Sequence, residues 1–470
     1  MFNRLFNSKN LNYLQLFLLS LCLVVLLRLP TLFRAVIDSD ESTYLLMARQ
    51  WLNGLHLYSE IWDTKPPGIV FLFAGLFKLT GVSIPALRIL SAIFHATTLT
   101  LIWQILRSLK VAISPLLIIL TALLFLSTKT YSLAANTEIF FITFTLAAVA
   151  LLLEAKKWWH YLLAGLLLGI GFEIKYFVLF DFFALALLIT LTSKQRWRDL
   201  AIFSSAFITP FLLVLLYFYQ SSSWQDFYYV TFVIPRKYSG NIDFNNLRQF
   251  AWQYLRAPGA LLLLSIPLII INRKSLTRDR HFYFLLSWFL LTSLATIVPK
   301  TFFGHYLLQI IPVGLLLFLY HLNRVTLSRK LLATLISLEL IVLLLITNNF
   351  YRKYIKDPDP VKKIATILKQ QLLPKEQIFI TTSGYQILYH LLNRPIPTKY
   401  VHPSLLFKKE RANRLGIPVD KELSRIYHGQ STLISINQAI QPTYPQRYRQ
   451  HSYPISNATT LYLYRKITNI

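Results

Sequence analysis

The chain has 470 residues, 55% of them apolar, with 48 Lys and Arg against 20 Asp and Glu and a formal net charge of +28. A mean hydropathy of +0.49 with only 14% charged residues excludes an ordinary soluble domain and indicates a membrane protein. The positive charge requires no nucleic acid, because much of it lies where membrane proteins carry their orientation signals.

Apolar runs of roughly the ~20 residues needed to cross ~30 Å of hydrocarbon recur near 13–33, 85–106, 112–128, 137–153, 160–173, 175–192, 200–218, 259–272, 282–298, 304–320 and 331–348. They predict an all-α polytopic membrane domain over 1–349 with about eleven transmembrane helices. The first run follows Arg4 and Lys9 without a small-residue cleavage site and reads as a retained signal anchor. It holds the single cysteine, Cys22, so no intramolecular disulfide is available. Basic residues cluster after alternate runs: Arg107 and Lys110; Lys156 and Lys157; Lys194, Arg196 and Arg198; Arg273, Lys274, Arg278 and Arg280; Arg324, Arg329 and Lys330. These loops and the N-terminus are expected in the cytoplasm, and the loop 34–84, the loop 220–258 and everything after about 349 outside.

The first outer loop, 34–84, begins with the acidic stretch DSDESTY. Asp38 as N-cap with Glu41 three residues on makes a capping-box variant. Leu45, Leu46, Ala48, Trp51, Leu52 and Leu55 then predict an amphipathic helix lying on the membrane surface and ended near Gly54. Capping accounts for Asp38 and Glu41 but does not require Asp40. Further on, WDTKPPG places Asp63 and Lys65 ahead of two prolines, and Pro67 predicts the start of a second helix through 69–79. A lysine beside the amides of a helix start outlines a phosphate site; its alternative is a lysine snorkelling at the interface.

Other charges fall on the predicted outer face: Glu138 in NTEIFF, Lys175 in FEIKYF, and Lys300 and His305 in PKTFFGHYLLQIIP. Each reads either as part of a site or as an interfacial anchor. Arg28 and Asp181 lie inside predicted spans, where charges are functional hypotheses by default, although Arg28 is close enough to the outer end to snorkel. Arg88, just inside the second span, is a similar case, and His95 reads as a packed, hydrogen-bonded histidine. No His and Cys cluster has metal-ligand spacing and no nucleotide phosphate loop is present, so a sugar-nucleotide donor is not expected and no cofactor is assigned. Carboxylates at Asp40, Glu41 and Glu138 leave a divalent cation open.

Beyond Phe350 the hydropathy drops, and 350–470 is expected to be a small outer α/β domain. Pro358 and Pro360 mark a helix start, with Val361, Ile364, Ile367 and Leu368 at helical spacing; a strand follows over 377–382, a helix over 385–392, and strands near 432–436 and 460–464. The segment from 351 onward carries 19 Lys and Arg against 6 Asp and Glu, a balance suited to anionic lipid headgroups, phosphates or anionic glycans.

The series D-x-D-E-x-x-Y, then Gly54 and Leu57-Tyr58, then D-x-K-P-P-G resembles the first outer loop of the polytopic C-type glycosyltransferases that include protein O-mannosyltransferases and aminoarabinose transferases of lipid A. The resemblance implies transfer of a sugar from a polyprenyl-phosphate donor to a lipid, glycan or protein acceptor on the outer face of the cell membrane, with inversion at the sugar carbon. Carried over, Asp40 is the carboxylate that orients or deprotonates the acceptor, Glu41 its neighbour, and Lys65 the donor-phosphate ligand. Arg88, Lys175, Lys300 and His305 are further donor-binding candidates, and Asp38, Asp63 and Glu138 further acidic ones. Aminoarabinose transferases carry an acid directly before the lysine, whereas this chain has Thr64 there with Asp63 one position earlier. That departure weakens a metal site of that subgroup's kind and weakens lipid A as acceptor. The competing reading is a multi-pass lipid or glycan transporter or flippase, which calls for charges spread through span interiors and short outer loops. A polysaccharide polymerase or ligase shares the donor chemistry but usually places its large loop late in the chain.

Overall fold

Apolar runs form helices in a membrane because hydrocarbon offers no partner for unpaired backbone groups. The computed structural model describes residues 12–127, 130–221, 223–238, 242, 244–271, 279–325, 328–429, 432–439, 448–456 and 458–467. Arg4, Lys9, Arg273, Lys274 and Arg278, used above for orientation, lie outside the described residues.

The helices follow the predicted runs: α1 Tyr13–Arg28, α2 Ser39–Leu52, α3 Gly68–Thr80, α4 Ile84–Ser108, α5 Pro115–Ser127, α6 Thr137–Leu153, α7 Trp158–Ile174, α8 Val178–Thr192 and α9 Arg196–Gln220. Then come α10 Phe244–Arg256, α11 Pro258–Ile271, α12 Arg280–Ile297, α13 Ile310–Leu322 and α14 Arg329–Tyr351. Among the described residues, five helices are long and apolar enough to cross a membrane, and α10 with α11, bent by 42°, would make a sixth. The expectation of about eleven spans counted apolar runs. Several are short: the 13 residues of α5 reach only about 20 Å at the helical rise, less than the hydrocarbon thickness.

The chain divides into two compact units. The first comprises Met1–Leu32, Leu87–Tyr217 and Asn241–Phe350. Its close helix contacts need small residues: a Cβ on Gly165 or Gly169 of α7 would collide with the backbone carbonyls of Phe203 and Phe207 on α9. Two of its internal charges, Arg28 and Asp181, are hydrogen-bonded inside the unit. Arg28 is 3% exposed rather than snorkelling outward; it donates to Ser91 Oγ at 2.6 Å and the Ser132 carbonyl at 2.6 Å, and lies 3.0 Å from His95 Nδ1. Because arginine only donates, His95 Nδ1 accepts and its Nε2–H serves Ser127 Oγ at 2.9 Å. Burial of the guanidinium is tolerated because these oxygens and the ring nitrogen replace water at its two terminal nitrogens. Asp181 accepts from Trp288 Nε1 at 2.6 Å and Gln309 Nε2 at 2.8 Å.

The second unit joins three separate stretches, Phe33–Ala86, Phe218–Gly240 and Tyr351–Ile470. Its sheet runs β1 (Ile378–Ile380), β2 (Thr432–Ile436), β4 (Thr459–Lys466), β3 (Tyr448–Ser456), with β1 and β2 parallel and the other pairs antiparallel. Helix α15, Pro360–Gln371, is capped by Asp359, whose Oδ1 accepts from Val361 N–H at 3.0 Å, and it buries Val361, Ile364, Ala365 and Leu368. The strand β3 has no counterpart among the predicted strands, because its alternation is masked by exposed polar residues on most of its positions. Arg34 fastens the start of the first loop to this unit by donating to the Tyr354 carbonyl at 2.7 Å and the Asp357 carbonyl at 2.6 Å.

Candidate functional site

Helix α2 begins where Asp38, in extended backbone, turns its carboxylate back onto the chain: Asp38 Oδ1 accepts from the Asp40 N–H at 2.9 Å. The cap bond thus uses Asp40's backbone and leaves its carboxylate for other work. Asp40 is half-buried, with the Tyr44 hydroxyl 3.5 Å from Oδ2. Glu41, by contrast, is buried to 2% exposure. The expected amphipathic surface helix is not what forms. Residues Glu41, Ser42, Thr43, Tyr44, Leu45, Leu46, Met47 and Ala48 are all buried, so α2 is covered on every side over this stretch. Its sequence misleads because small and hydroxylated residues between the leucines allow close packing as readily as exposure.

Gly54, at φ 90°, takes the left-handed conformation that ends the helix region. The next turn is built on Tyr58, which adopts φ 69°, costly for a bulky residue. Three contacts hold it there. Its N–H donates to the Ile61 carbonyl at 2.7 Å, its ring packs 5.3 Å from Phe218 and 6.0 Å from Phe227, and its hydroxyl donates to the Lys65 carbonyl at 2.8 Å. Lys65 is therefore positioned through its backbone, two residues before Pro67, the N-cap of α3. Asp63 is buried, and its Oδ1 accepts from Thr64 N–H at 2.5 Å.

The tail is fastened to this loop at several points. Trp62 N–H donates to the Lys399 carbonyl at 2.7 Å, and the Trp62 and Tyr400 rings meet edge to face at 5.5 Å. Gln386, fully buried, donates to the Ser39 carbonyl at 2.9 Å and Thr43 Oγ1 at 3.0 Å, and Arg49 donates to the Tyr389 carbonyl at 3.0 Å. Two residues past Tyr400, the His402 ring feels the charges of Asp40, Asp63, Arg411 and Lys65. Burial pulls its pKa below the ordinary histidine value; the two carboxylates oppose that shift and the two cations add to it. Asp40, Asp63 and Lys65 stand out in the sequence of the first loop, whereas His402 and Arg411 do not. Nothing in YVHPS or KKERANR carries a motif, since their relevance arises only from backbone pairing across more than 300 residues.

The first unit holds a separate charged cluster. Glu138, in the first turn of α6, receives Lys175 in a buried ion pair, lies 4.0 Å from His305 Nε2, and accepts from Thr137 Oγ1 at 3.0 Å. The Lys175 ammonium also sits 4.5 Å from the centre of the Tyr306 ring. These residues stand apart in the sequence, and the structure joins Glu138, Lys175 and His305. Lys300 is exposed, in left-handed backbone at φ 55°. Arg88 is buried and donates to the Thr31 and Leu32 carbonyls at the end of the first span. With both partners buried, removing the cation strands a carboxylate: Lys175→Met is expected to lower stability by roughly 3–5 kcal/mol, and adding Glu138→Gln to recover much of that loss. Thermal unfolding in detergent measures this, and a Lys175→Met melting temperature equal to wild type would contradict it. Among the described residues, no group of three or more His, Cys, Asp and Glu side chains is arranged to hold a metal ion.

Residues 64–231 match the family profile described as dolichyl-phosphate-mannose-protein mannosyltransferase. The structure superposes on that of ArnT from Cupriavidus metallidurans bound to undecaprenyl phosphate with a TM-score of 0.64 at 12% identity, covering 96% of this chain and 98% of that one. The fold is that of a C-type glycosyltransferase. The apo form of the same ArnT gives a TM-score of 0.62 at 11% identity, over 96% of this chain and 97% of that one. Arabinofuranosyltransferase AftD from Mycobacteria gives 0.51 at 14% identity over 97% of this chain and 40% of that one. A search of curated proteins finds no match. For this C-type glycosyltransferase fold, the family profile takes in Lys65, Arg88, Glu138 and Lys175, while Asp40, Glu41 and His402 lie outside its bounds.

Proposed function

We propose that this multi-pass membrane protein is a glycosyltransferase that moves a sugar from a polyprenyl-phosphate donor to a lipid, glycan or protein acceptor on the outer face of the membrane, with inversion. The observation that carries the reading is the bond of Trp62 N–H to the Lys399 carbonyl at 2.7 Å, which ties the tail to the turn that holds Asp63 and Lys65, in the same compact unit as Asp40 and the half-buried His402 whose ring feels all three charges. In the reaction, an acceptor hydroxyl or amine attacks the anomeric carbon. Asp40 takes the proton of the attacking group, the bond from sugar carbon to phosphate oxygen breaks, and the polyprenyl phosphate leaves as an anion facing Lys65. Because the leaving phosphate needs no proton, a single carboxylate base is sufficient. The apolar helices supply the membrane setting that a polyprenyl chain requires.

The transporter reading is less well supported. It asks for span-interior charges facing a path, whereas Arg28 and Asp181 are each bonded to neighbouring helices.

Purified protein reconstituted in liposomes with a panel of polyprenyl-phosphate sugars tests the proposal. The expected result is consumption of one donor, release of polyprenyl phosphate, and a product whose anomeric configuration by NMR is opposite to that of the donor. Transport of an intact lipid-linked sugar without bond cleavage would establish the competing function instead.

A further inference from the structure

Helix α10 has two unlike sides. Phe244, Arg248, Ala251, Trp252, Leu255 and Arg256 are exposed and recur at the spacing of one helix face, while Phe250 is buried on the other. The exposed face has an apolar edge of Phe244, Ala251 and Leu255 and a polar edge of Asn245, Gln249 and Arg256. The Arg256 guanidinium lies 4.1 Å from the centre of the Trp252 ring. Aromatic and aliphatic side chains set among arginines in this way suit the layer between hydrocarbon and water. The neighbouring helix places α10 at that layer. A 42° bend at Pro258 leads from α10 into α11, whose exposed side is aliphatic: Leu263, Leu264, Ile266, Ile270 and Ile271. The 14 residues of α11 rise only about 21 Å, less than the ~30 Å of hydrocarbon, so the chain reaches the headgroups through α10.

The buried side of α10 grips a strained turn. The Phe250 ring lies 5.6 Å from that of Phe302, and both are buried. Phe302 has φ 51° and Lys300 φ 55°, left-handed backbone that bulky residues keep only where their surroundings hold them. Gly304 passes so close to α10 that a Cβ there would collide with the end of Gln253. His305 comes next, its ring stacked on Phe303 at 5.5 Å and its Nε2 4.0 Å from Glu138. We propose that α10 is an interfacial helix seated obliquely in the lipid headgroup layer, with Arg248 and Arg256 on lipid phosphates, and that from this seat Phe250 holds the left-handed turn ahead of His305. The partner is the bilayer rather than a protein because α10 continues directly from a lipid-facing helix and its arginines match the charge of phosphates. This seat is independent of the sugar transfer proposed above.

Spin labels on the full chain in liposomes of phosphatidylglycerol and phosphatidylcholine test this, in a Cys22→Ser background because Cys22 is the single cysteine. Labels at Ala251→Cys and Leu255→Cys are expected to meet dissolved oxygen more than a water-soluble nickel chelate, and a label at Gln249→Cys to show the reverse. Chelate access at all three positions would put α10 in water. Labels screened from both reagents would put it under a partner protein or a second copy, and either result overturns the proposal. Arg248→Glu combined with Arg256→Glu is expected to abolish the oxygen preference at Ala251→Cys; an unchanged preference overturns the role of the arginines. A label at Lys300→Cys, in the exposed part of the turn, reads the grip of Phe250. Its spectrum should sharpen in Phe250→Ala while the label at Ala251→Cys keeps its oxygen preference. Identical Lys300→Cys spectra with and without Phe250 overturn the hold on the turn. If Phe250→Ala fails to fold, Phe250→Leu removes the ring contact while keeping an apolar side chain, and the same sharpening is expected of it.

Discussion

Asp40→Asn is expected to reduce transfer by about 10²–10⁴-fold, the usual worth of a general base, without reducing the amount of folded protein. The helix cap explains why fold and chemistry separate here. Asp38 caps α2 by accepting from the backbone N–H of Asp40, a bond that Asn at position 40 leaves unchanged. Asp38→Ala is the complementary control: it removes the cap and is expected to cost about 0.5–2 kcal/mol of stability while retaining most of the turnover of the molecules that remain folded. Asp40→Glu should recover only a fraction of the activity, since one added methylene displaces the carboxylate from an acceptor that must lie close to it. Donor consumption by single-turnover assay in liposomes distinguishes these cases. An Asp40→Asn enzyme within a few-fold of wild type removes Asp40 from the reaction and leaves it as a helix-start residue.

Legibility of the structure in the sequence followed the range of the interactions. Helix positions were readable because a span's apolar content is a local property; α6 begins and ends where the hydropathy does, and β2 at Thr432–Ile436 coincides with its apolar run. The cap at Asp38 and the helix start after Pro67 were equally local. What the sequence did not carry was burial set by distant partners. Helix α2 looks amphipathic until Gln386, Tyr389 and Asn393 of the tail are bonded against it. Arg28 looks able to snorkel until Ser91, His95 and the Ser132 carbonyl are known to receive it. The motif residues Asp40 and Lys65 stood out by their spacing alone, but a histidine more than 300 residues away has no spacing to stand out by. Its part in the site depends on the Trp62 main-chain bond to Lys399, which no local pattern encodes.

Lys65→Met is expected to cost about 10²–10³-fold in transfer, and the loss should appear in kcat more than in KM. The reason lies in how charge develops. In the proposed reaction the donor is a phosphodiester with one negative charge; as the sugar carbon separates from the phosphate oxygen, the polyprenyl phosphate approaches two. A cation beside it therefore binds the transition state more tightly than the donor, and only that difference accelerates the step. The lysine's position is independent of its charge, because Tyr58 holds it through the Lys65 carbonyl and Pro67 fixes the following helix start. Lys65→Met thus deletes the ammonium while keeping the turn. Lys65→Arg restores the charge with a larger, planar head and should recover part of the rate. Steady-state kinetics with varied donor separate the outcomes. A raised KM with unchanged kcat would assign Lys65 to donor binding alone, and unchanged values of both would remove it from the phosphate altogether, making the first-loop lysine an interfacial anchor.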